Sequence, residues 1–333
     1  MNDIDVIQEI KARLRDINIV SFSAGKDSST VLQLVLAAIK GTRKKLYIVT
    51  SDTLMEIPFY YAYVKEIRRR IKEYVDIAGI DAELIMVRPK VESTFWVSVI
   101  GKGYPAAHMG FRWCTGVLKI DPITKFTTEV THDRDYTVFI GVRRAESELR
   151  AKIYLEPDYK PHYYAPILNW SNENVWTYLL TEPCPWGSHG ELVKVYRYSS
   201  DECVYGEKQG VCIGNARYGC WACPLQKSAQ LDLIAYFTQD NRYRLLKEFK
   251  EMLVNMANNT GFRSRIRRNG EEGAGPFLVD IRKALFTKLR ELENKTGWNL
   301  ITLDEISIIR QYWEDEKGIH NIPDNPMLWE VEI

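Results

Sequence analysis

The sequence predicts an α/β protein, a doubly wound parallel sheet followed by a mainly helical C-terminal region that carries a cysteine cluster. Three observations lead there. Short β-branched and aromatic runs alternate with segments of helical period over the first part of the chain. The first such pair is joined by the loop "SAGKDS", residues 23–28, of the kind that seats an anion at a helix N-terminus. From about residue 166 the strand pattern stops and helical periodicity takes over, so the division is placed at 1–165 and 166–333.

Taken in order, "MNDIDVIQEIKARLRD" reads as an amphipathic helix of mixed charge without the apolar stretch of a signal peptide. "INIVSFS" is the first strand, and Val31, Leu32, Leu34, Val35, Ala38 and Ile39 recur at helical spacing after the loop. "KKLYIVTSDT" is a second strand ending near Asp52, and Pro58 opens the next helix at its first turn. "AELIMVRP" is a third strand. "STFWVSVIGKG" is a short helix in which Phe95 and Trp96 are core, and "DYTVFIGVRR" is a fourth strand ending in two arginines. Such sheets bind ligands at the carboxyl ends of their strands, so the loops holding Lys26, Asp52 and Arg143 are expected to converge. Beyond residue 166, "NENVWTYLL", "SAQLDLIAYFTQDNRYRLLKEFKEMLVNM", "FLVDIRKALFTKLRELE" and "LDEISIIRQYWEDE" read as helices. Thr302 and Glu305 form a capping-box pattern before the last.

Composition narrows the class. The chain is 45% hydrophobic and 27% charged, with no apolar run approaching the ~18 residues of a membrane span, which points to a globular protein expected in the cytoplasm. With a net charge of only +1, any nucleic-acid contact must come from a local basic patch.

The loop is not a Walker loop, because Val20 stands where the first glycine belongs and Asp27 follows Lys26. Ser23 and Ser28 supply hydroxyls, Lys26 a mobile charge and the helix its amides, which makes phosphate the natural guest. An ordinary turn capped by Asp27 or Ser28 accounts for the Ser/Asp content but not for Gly25-Lys26. The order Ser-(Gly/Ala)-Gly-x-Asp-Ser resembles the PP-loop of ATP pyrophosphatases. That resemblance implies an adenine nucleotide alpha-hydrolase fold, with Ser23, Ala24, Gly25, Lys26, Asp27 and Ser28 around ATP and Asp27 helping to organise Mg²⁺. Ala24 stands where glycine is commoner. A methyl there disfavours positive φ, so the turn is expected to keep Ala24 in an ordinary backbone region.

Further blocks extend the resemblance to the PAPS-reductase-like branch: "FRWCTGVLKIDP", "GVRRAESELRA" and "APILNWSNENVWTYL". With "SDT…E.P", "TFWV…IGKGYP" and "GNARYGCWAC" they are similar to the DndC/SspD family of DNA phosphorothioate modification, and the chain's length favours the compact SspD type. The resemblance implies an ATP pyrophosphatase and sulfurtransferase that adenylylates a DNA backbone phosphate, with a cysteine desulfurase as sulfur donor and other subunits of a phosphorothioation complex as partners in phage defence. The rival readings are a PAPS-reductase-like or sulfate-adenylylating enzyme, a tRNA thiolase, and a non-catalytic ATP-binding assembly subunit. The reductase's Glu-Cys-Gly-Leu-His tail is not present in "DNPMLWEVEI".

Arg112, Arg143, Arg144 and Arg150 are candidates for gripping phosphate, because a guanidinium binds two oxygens at once and stays charged. Surface pairing with Glu146 and Glu148 is the alternative, and Arg143, just past a strand, is the strongest candidate. Asp52 either contacts ligand or caps the next helix. Clustered cysteines in a cytosolic chain favour a metal or cluster over disulfides. Cys203, Cys212, Cys220 and Cys223 fit a four-iron four-sulfur (4Fe-4S) cluster or structural Zn²⁺ equally by spacing, and the resemblance favours the cluster. Cys184, in "TEPCPWG", reads as a spare buried thiol. Cys114 follows Arg112-Trp113 and precedes Lys119, so nearby cations are expected to lower its pKa and suit it to carry a persulfide, against the plainer role of a small buried hydrophobe. Finally, Arg263, Arg265, Arg267 and Arg268 lie in a basic, mobile loop that reads either as a clamp on a DNA backbone or as a solvated loop balanced by Glu271 and Glu272.

Overall fold

Alternation of strands and helices produces a five-stranded, all-parallel sheet in the computed structural model, which describes residues 3–107, 112–132, 134–146, 161–199 and 219–320. The strands are β1 (Ile17–Ser21), β2 (Lys45–Ser51), β3 (Ala82–Val87), β4 (Tyr136–Phe139) and β5 (Tyr163–Tyr164), in the spatial order β3-β2-β1-β4-β5. The chain moves outward from β1 to β3, then returns to the other side of β1 as β4. The switch point of the sheet therefore lies at the carboxyl ends of β1 and β4, and the register pairs Val20 with Phe139 there. β5 is only two residues long, too short for periodicity to reveal.

The chain forms two compact units, Met1–Ser51 with Pro58–Val87 and Ile123–Tyr218, and Asp52–Ile57 with Arg88–Pro122 and Gly219–Ile333. The sequence reading cuts once, after residue 165. The units instead interleave, because non-local pairing recruits short segments: Trp221 N–H donates to Met55 C=O (2.8 Å), and Glu56 bridges Cys220.

In the first unit, β1 is buried along almost its whole length, as are Val31, Leu32, Leu34, Val35, Ala38 and Ile39 of α2 (Lys26–Ile39). Both faces of a parallel sheet are covered, so these elements read as near-continuous apolar runs. The N-terminal helix α1 spans Asp3–Arg13, and α3, opened by Pro58, spans Pro58–Ile77 with Tyr60, Val64, Ile67, Ile71 and Val75 on its buried face. Ile123, Phe126 and Val130 of α4 (Asp121–Thr131) pack against the sheet core of Ile17, Ile19, Val49 and Val138. The set is completed by α5 (Asn172–Thr181), which opens with a Ser171/Asn174 capping box, and by α6 (Gly190–Ser199), absent from the sequence reading.

The second unit is built on α7 (Ala229–Thr238), α8 (Arg242–Asn258), α9 (Val279–Thr296) and α10 (Leu303–His320). The run "SAQLDLIAYFTQDNRYRLL" is two helices: Gln239 turns left-handed (φ 56°) and Asp240 accepts from Arg242 N–H at the start of the second. Phe95 and Trp96 are core, as expected. Trp96 meets Trp221 and Phe249 at ring-centroid distances of 5.8 and 5.9 Å, and its indole N–H donates to Leu300 C=O (2.8 Å). In place of one short helix, their segment makes a π-helical turn, Val97–Gly101. The Thr302/Glu305 box forms, with Thr302 N–H donating to Glu305 at 2.8 Å and Glu305 N–H to Thr302 Oγ1 at 3.2 Å. Among the described residues no helix is long and apolar enough to cross a membrane.

Candidate functional site

The loop after β1 is shaped from three sides of its own unit. Ser28 Oγ donates to Gly25 C=O (3.0 Å) and accepts from Ser23 N–H (3.2 Å), closing the turn on itself. Two tyrosines of α3 hold its carbonyls, Tyr60 Oη on Ser23 (2.5 Å) and Tyr63 Oη on Ala24 (3.2 Å). Burial pushes the Tyr63 phenol well above its usual value, so it stays a neutral donor. From the other side, Gly141, just past β4, lies against the loop: a Cβ there would sit 2.9 Å from Asp27 C and from Ser28 N. Only glycine permits that approach.

Ala24 corrects the sequence expectation. Its φ is +58°, in the left-handed region, and it is fully buried. The strand must turn sharply into α2 while Ser23 and Ala24 present their carbonyls to α3, and the left-handed residue makes that turn. Strain of ~1–2 kcal/mol accompanies a non-glycine residue in this conformation.

Lys26 and Arg143 converge on Asp27. Lys26 Nζ lies 3.4 Å from Asp27 Oδ2 and Arg143 Nε 2.5 Å from Oδ1, and Lys26 and Arg143 are both almost fully buried. Arg143 reaches Asn172 as well, at 3.4 Å. Breaking one partner of such a buried pair leaves an uncompensated charge and costs about 3–5 kcal/mol, so the set is held rigid at the N-terminus of α2, where the helix dipole is positive. Tyr196 of α6, which sequence reasoning did not single out, accepts from the Lys26 backbone N–H (3.1 Å) while the Lys26 ammonium lies 5.2 Å from its ring centroid. Arg144 is exposed and its N–H donates to Leu168 C=O (2.9 Å). Arg150 and Glu148, and the side chain of Glu146, lie outside what is described.

Asp52 belongs to the second unit, and both of its oxygens are engaged there. Oδ1 accepts from Leu54 N–H (3.0 Å), supporting a left-handed Leu54 (φ 63°), and Oδ2 pairs with Arg88 at 2.8 Å. It steadies its own turn. Nearby, Glu56 accepts from Thr53 Oγ1 (2.7 Å) and from the N–H groups of Thr53 and Met55, and burial raises its pKa above the usual carboxylate value.

Three thiols lie in this unit: Cys114, Cys220 and Cys223. Cys223 N–H donates to Cys220 C=O (3.1 Å), the tight turn expected of a C-x-x-C pair, and Cys220 Sγ lies 3.4 Å from Thr53 Oγ1. Burial pushes the Cys220 thiol up to about 12. Cys114 reverses the sequence expectation: burial, with the neighbouring Cys223, holds its pKa above the ordinary thiol value, and Lys119 and Arg112 lower it by less. Arg112 itself is exposed, at the start of the short helix Trp113–Thr115. Cys184 is half-buried and pushed up to about 11, consistent with an inert thiol. Cys203 and Cys212 lie outside the described residues, and among those described no group of three or more His, Cys, Asp or Glu side chains is placed to hold a metal ion. The two thiols of the C-x-x-C turn fit half of a four-thiol centre by donor type.

Fold and loop together define an α/β protein with a strand–loop–helix turn at the switch point of a parallel sheet. The model of the phosphoadenosine phosphosulfate reductase domain family matches residues 17–188, just over half of the chain, and the chain belongs to that family. It is 30% identical over 237 residues to the uncharacterized protein MJ0066 of Methanocaldococcus jannaschii, covering 70% of this chain and 41% of that one. To the uncharacterized nin region protein ORF290 of Escherichia phage lambda it is 25% identical over 182 residues, 50% of this chain and 60% of that one. The chain thus spans less than two thirds of the length of either relative. A solved structure similar to it is the U34-tRNA thiolase NcsA from Methanococcus maripaludis with its 4Fe-4S cluster, at 13% identity and a TM-score of 0.31 over 76% of this chain and 80% of that one.

Proposed function

We propose that this chain cleaves ATP between its α and β phosphates and passes the adenylate to a non-bridging oxygen of a DNA backbone phosphate, readying that phosphate for sulfur. The observation that carries the reading is the buried Lys26–Asp27–Arg143 set at the N-terminus of α2 and the switch point of the sheet. A phosphate oxygen is a poor leaving group, and adenylylation converts it into one that departs with AMP. The Lys26 ammonium and the amides of the first turn of α2 stabilise negative charge on the departing pyrophosphate, and because they are fixed beforehand they need no reorganisation. Asp27, oriented by Arg143, is the carboxylate that would help hold Mg²⁺, which supplies further neutralisation of phosphate charge when bound. A sulfur nucleophile then attacks the phosphorus and the P–O bond to AMP breaks.

Sulfur from a cysteine desulfurase partner would pass through Cys114 or through the cluster. Cys203, Cys212, Cys220 and Cys223 would hold a 4Fe-4S cluster, with Zn²⁺ the other centre their chemistry allows, and such a cluster supplies a soft, redox-active group.

Product analysis with Mg²⁺ tests the first step: AMP and pyrophosphate are expected, and Lys26→Ala loses both while keeping its circular dichroism spectrum. ADP as the main product overturns the assignment. Stimulation of pyrophosphate release by DNA supports the DNA acceptor, whereas stimulation by tRNA alone replaces it with tRNA thiolation. Iron, sulfide and zinc analysis after anaerobic purification identifies the centre.

A further inference from the structure

The arginine-rich segment forms a hydrogen-bonded hairpin in place of the mobile loop expected from sequence. Gly275 N–H donates to Ser264 C=O (2.7 Å), Gly273 N–H to Arg265 C=O (2.8 Å) and Arg267 N–H to Glu271 C=O (2.8 Å). At its base Phe277, fully buried, donates its N–H to Gly103 C=O (2.8 Å), which fixes the hairpin against the segment Gly103–Pro105 of the same unit. Between them lies a cleft of about 720 Å³, lined by Tyr104 and Pro105 on one side and by Arg263, Arg267, Arg268 and Asn269 on the other.

The way these arginines are held decides what the cleft can bind. Arg263 donates from Nε to Gly275 C=O (2.7 Å) and from Nη2 to Ala274 C=O (2.9 Å). Arg268 donates to Lys102 C=O, and its guanidinium carbon lies 4.5 Å from the Tyr104 ring centroid. A carbonyl orients a guanidinium without neutralising it. Arg267 alone approaches a carboxylate, Glu271 at 3.7 Å, and both side chains are more than half exposed, where such a pair is weak. Among the described residues no carboxylate lines the cleft. Three positive charges, two of them held in place by carbonyls, therefore share a small space in a chain whose net charge is only +1.

The floor adds a second property. Tyr104 packs edge-on against Trp113 (5.2 Å, 78°), and Trp113 stacks on buried Phe95 (5.8 Å, 17°) while its indole N–H donates to Pro105 C=O (3.2 Å). Tyr104 is thus the outer member of a fixed aromatic set. Guanidinium groups bind phosphate oxygens, aromatic rings and arginine planes stack on bases, and a duplex keeps its bases turned inward.

We propose that this cleft binds a single-stranded segment of nucleic acid, its phosphates on Arg267 and Arg268 and a base against Tyr104. The biological strand rests on the proposed function, but the charge and stacking arguments do not. The test is fluorescence anisotropy of a labelled single-stranded oligodeoxynucleotide without ATP, across a salt series, beside pyrophosphate release from ATP alone. Replacing Arg267 and Arg268 together by alanine is expected to reduce the slope of log affinity against log salt by roughly 1.4, about 0.7 for each lost single-strand phosphate contact. Tyr104→Leu is expected to weaken binding ~5–10-fold at an unchanged slope, as loss of a stacked base does. Arg265→Ala, in the same hairpin but not lining the cleft, is expected to change binding less than twofold, and pyrophosphate release is expected to be unchanged in every variant. An Arg267/Arg268 variant that binds like wild type, an Arg265 variant equally impaired, or duplex bound as tightly as single strand each overturns the assignment. Loss of binding in the cleft variants of a protein that releases no pyrophosphate at all leaves the cleft standing and removes the adenylylation reading.

Discussion

His189 gives the fold a measurable acid weakness that leads back to the loop. It is 7% exposed, its Nε2 shares a 2.9 Å hydrogen bond with Gln33 Oε1, and the Trp186 ring packs edge-on at 5.5 Å. Gln33, two turns beyond Lys26 on α2, donates in turn to Pro183 C=O (3.1 Å). Burial pushes His189 down to about 4, against an ordinary value of about 6.5. Between these values the unfolded chain takes up the proton and the folded chain does not. The stabilisation from a neutral His189 is therefore complete above pH ~6.5 and is lost as pH falls through about 4. At 1.36 kcal/mol for each pH unit of that gap the whole effect is roughly 3 kcal/mol, of which roughly 2 kcal/mol has gone by pH 5. Urea unfolding at pH 7.5, 6 and 5 reads it directly. His189→Gln, whose amide can still donate to Gln33, is expected to be less stable at pH 7.5 but to lose roughly 2 kcal/mol less than wild type on going to pH 5. Equal losses in the two proteins would refute the burial argument.

Three further outcomes concern the loop. Tyr196→Phe removes the hydroxyl that accepts from the Lys26 amide, so pyrophosphate, measured by titration calorimetry, is expected to bind ~5-fold tighter while stability falls by ~1 kcal/mol; weaker binding would make Tyr196 a positioning group for phosphate. Ala24→Gly relieves ~1–2 kcal/mol of left-handed strain but gives up ~0.8 kcal/mol of methyl burial and ~0.5–1 kcal/mol of backbone entropy, so its unfolding free energy is expected to stay within ~1 kcal/mol of wild type. Ala24→Val should cost more than ~2 kcal/mol by denaturation, because a β-branched residue is an outlier there and must also be packed; a stable Val variant would place the strain elsewhere.

What the sequence made legible is what short range determines. The first four strands, the helix opened by Pro58 and the Thr302/Glu305 cap follow from periodicity and local hydrogen bonding, and all are present. Of the three residues whose loops are expected to converge, Lys26 and Arg143 meet, on Asp27, because the switch point of a parallel sheet brings the ends of β1 and β4 together whatever lies between, whereas Asp52 is engaged with Leu54 and Arg88 in the other unit. Cys114 was misread for a physical reason: the cations beside it in sequence are visible, whereas the burial that outweighs them is created by residues from elsewhere in the chain. Ala24 was misread because a propensity rule was applied to a turn whose shape the surrounding contacts over-determine.

Those contacts come from far along the chain. Tyr60 and Tyr63 lie about one α/β connection away from the loop, Gly141 just past β4, and Tyr196 is separated from Lys26 by 170 positions. None of them belongs to the motif, yet together they fix two of its carbonyls, its backbone path and one of its amides. The direction of backbone N–H groups is set by whatever holds the backbone. It follows that Tyr60 and Tyr63, which hold the Ser23 and Ala24 carbonyls, help to set the direction in which the first amides of α2 point.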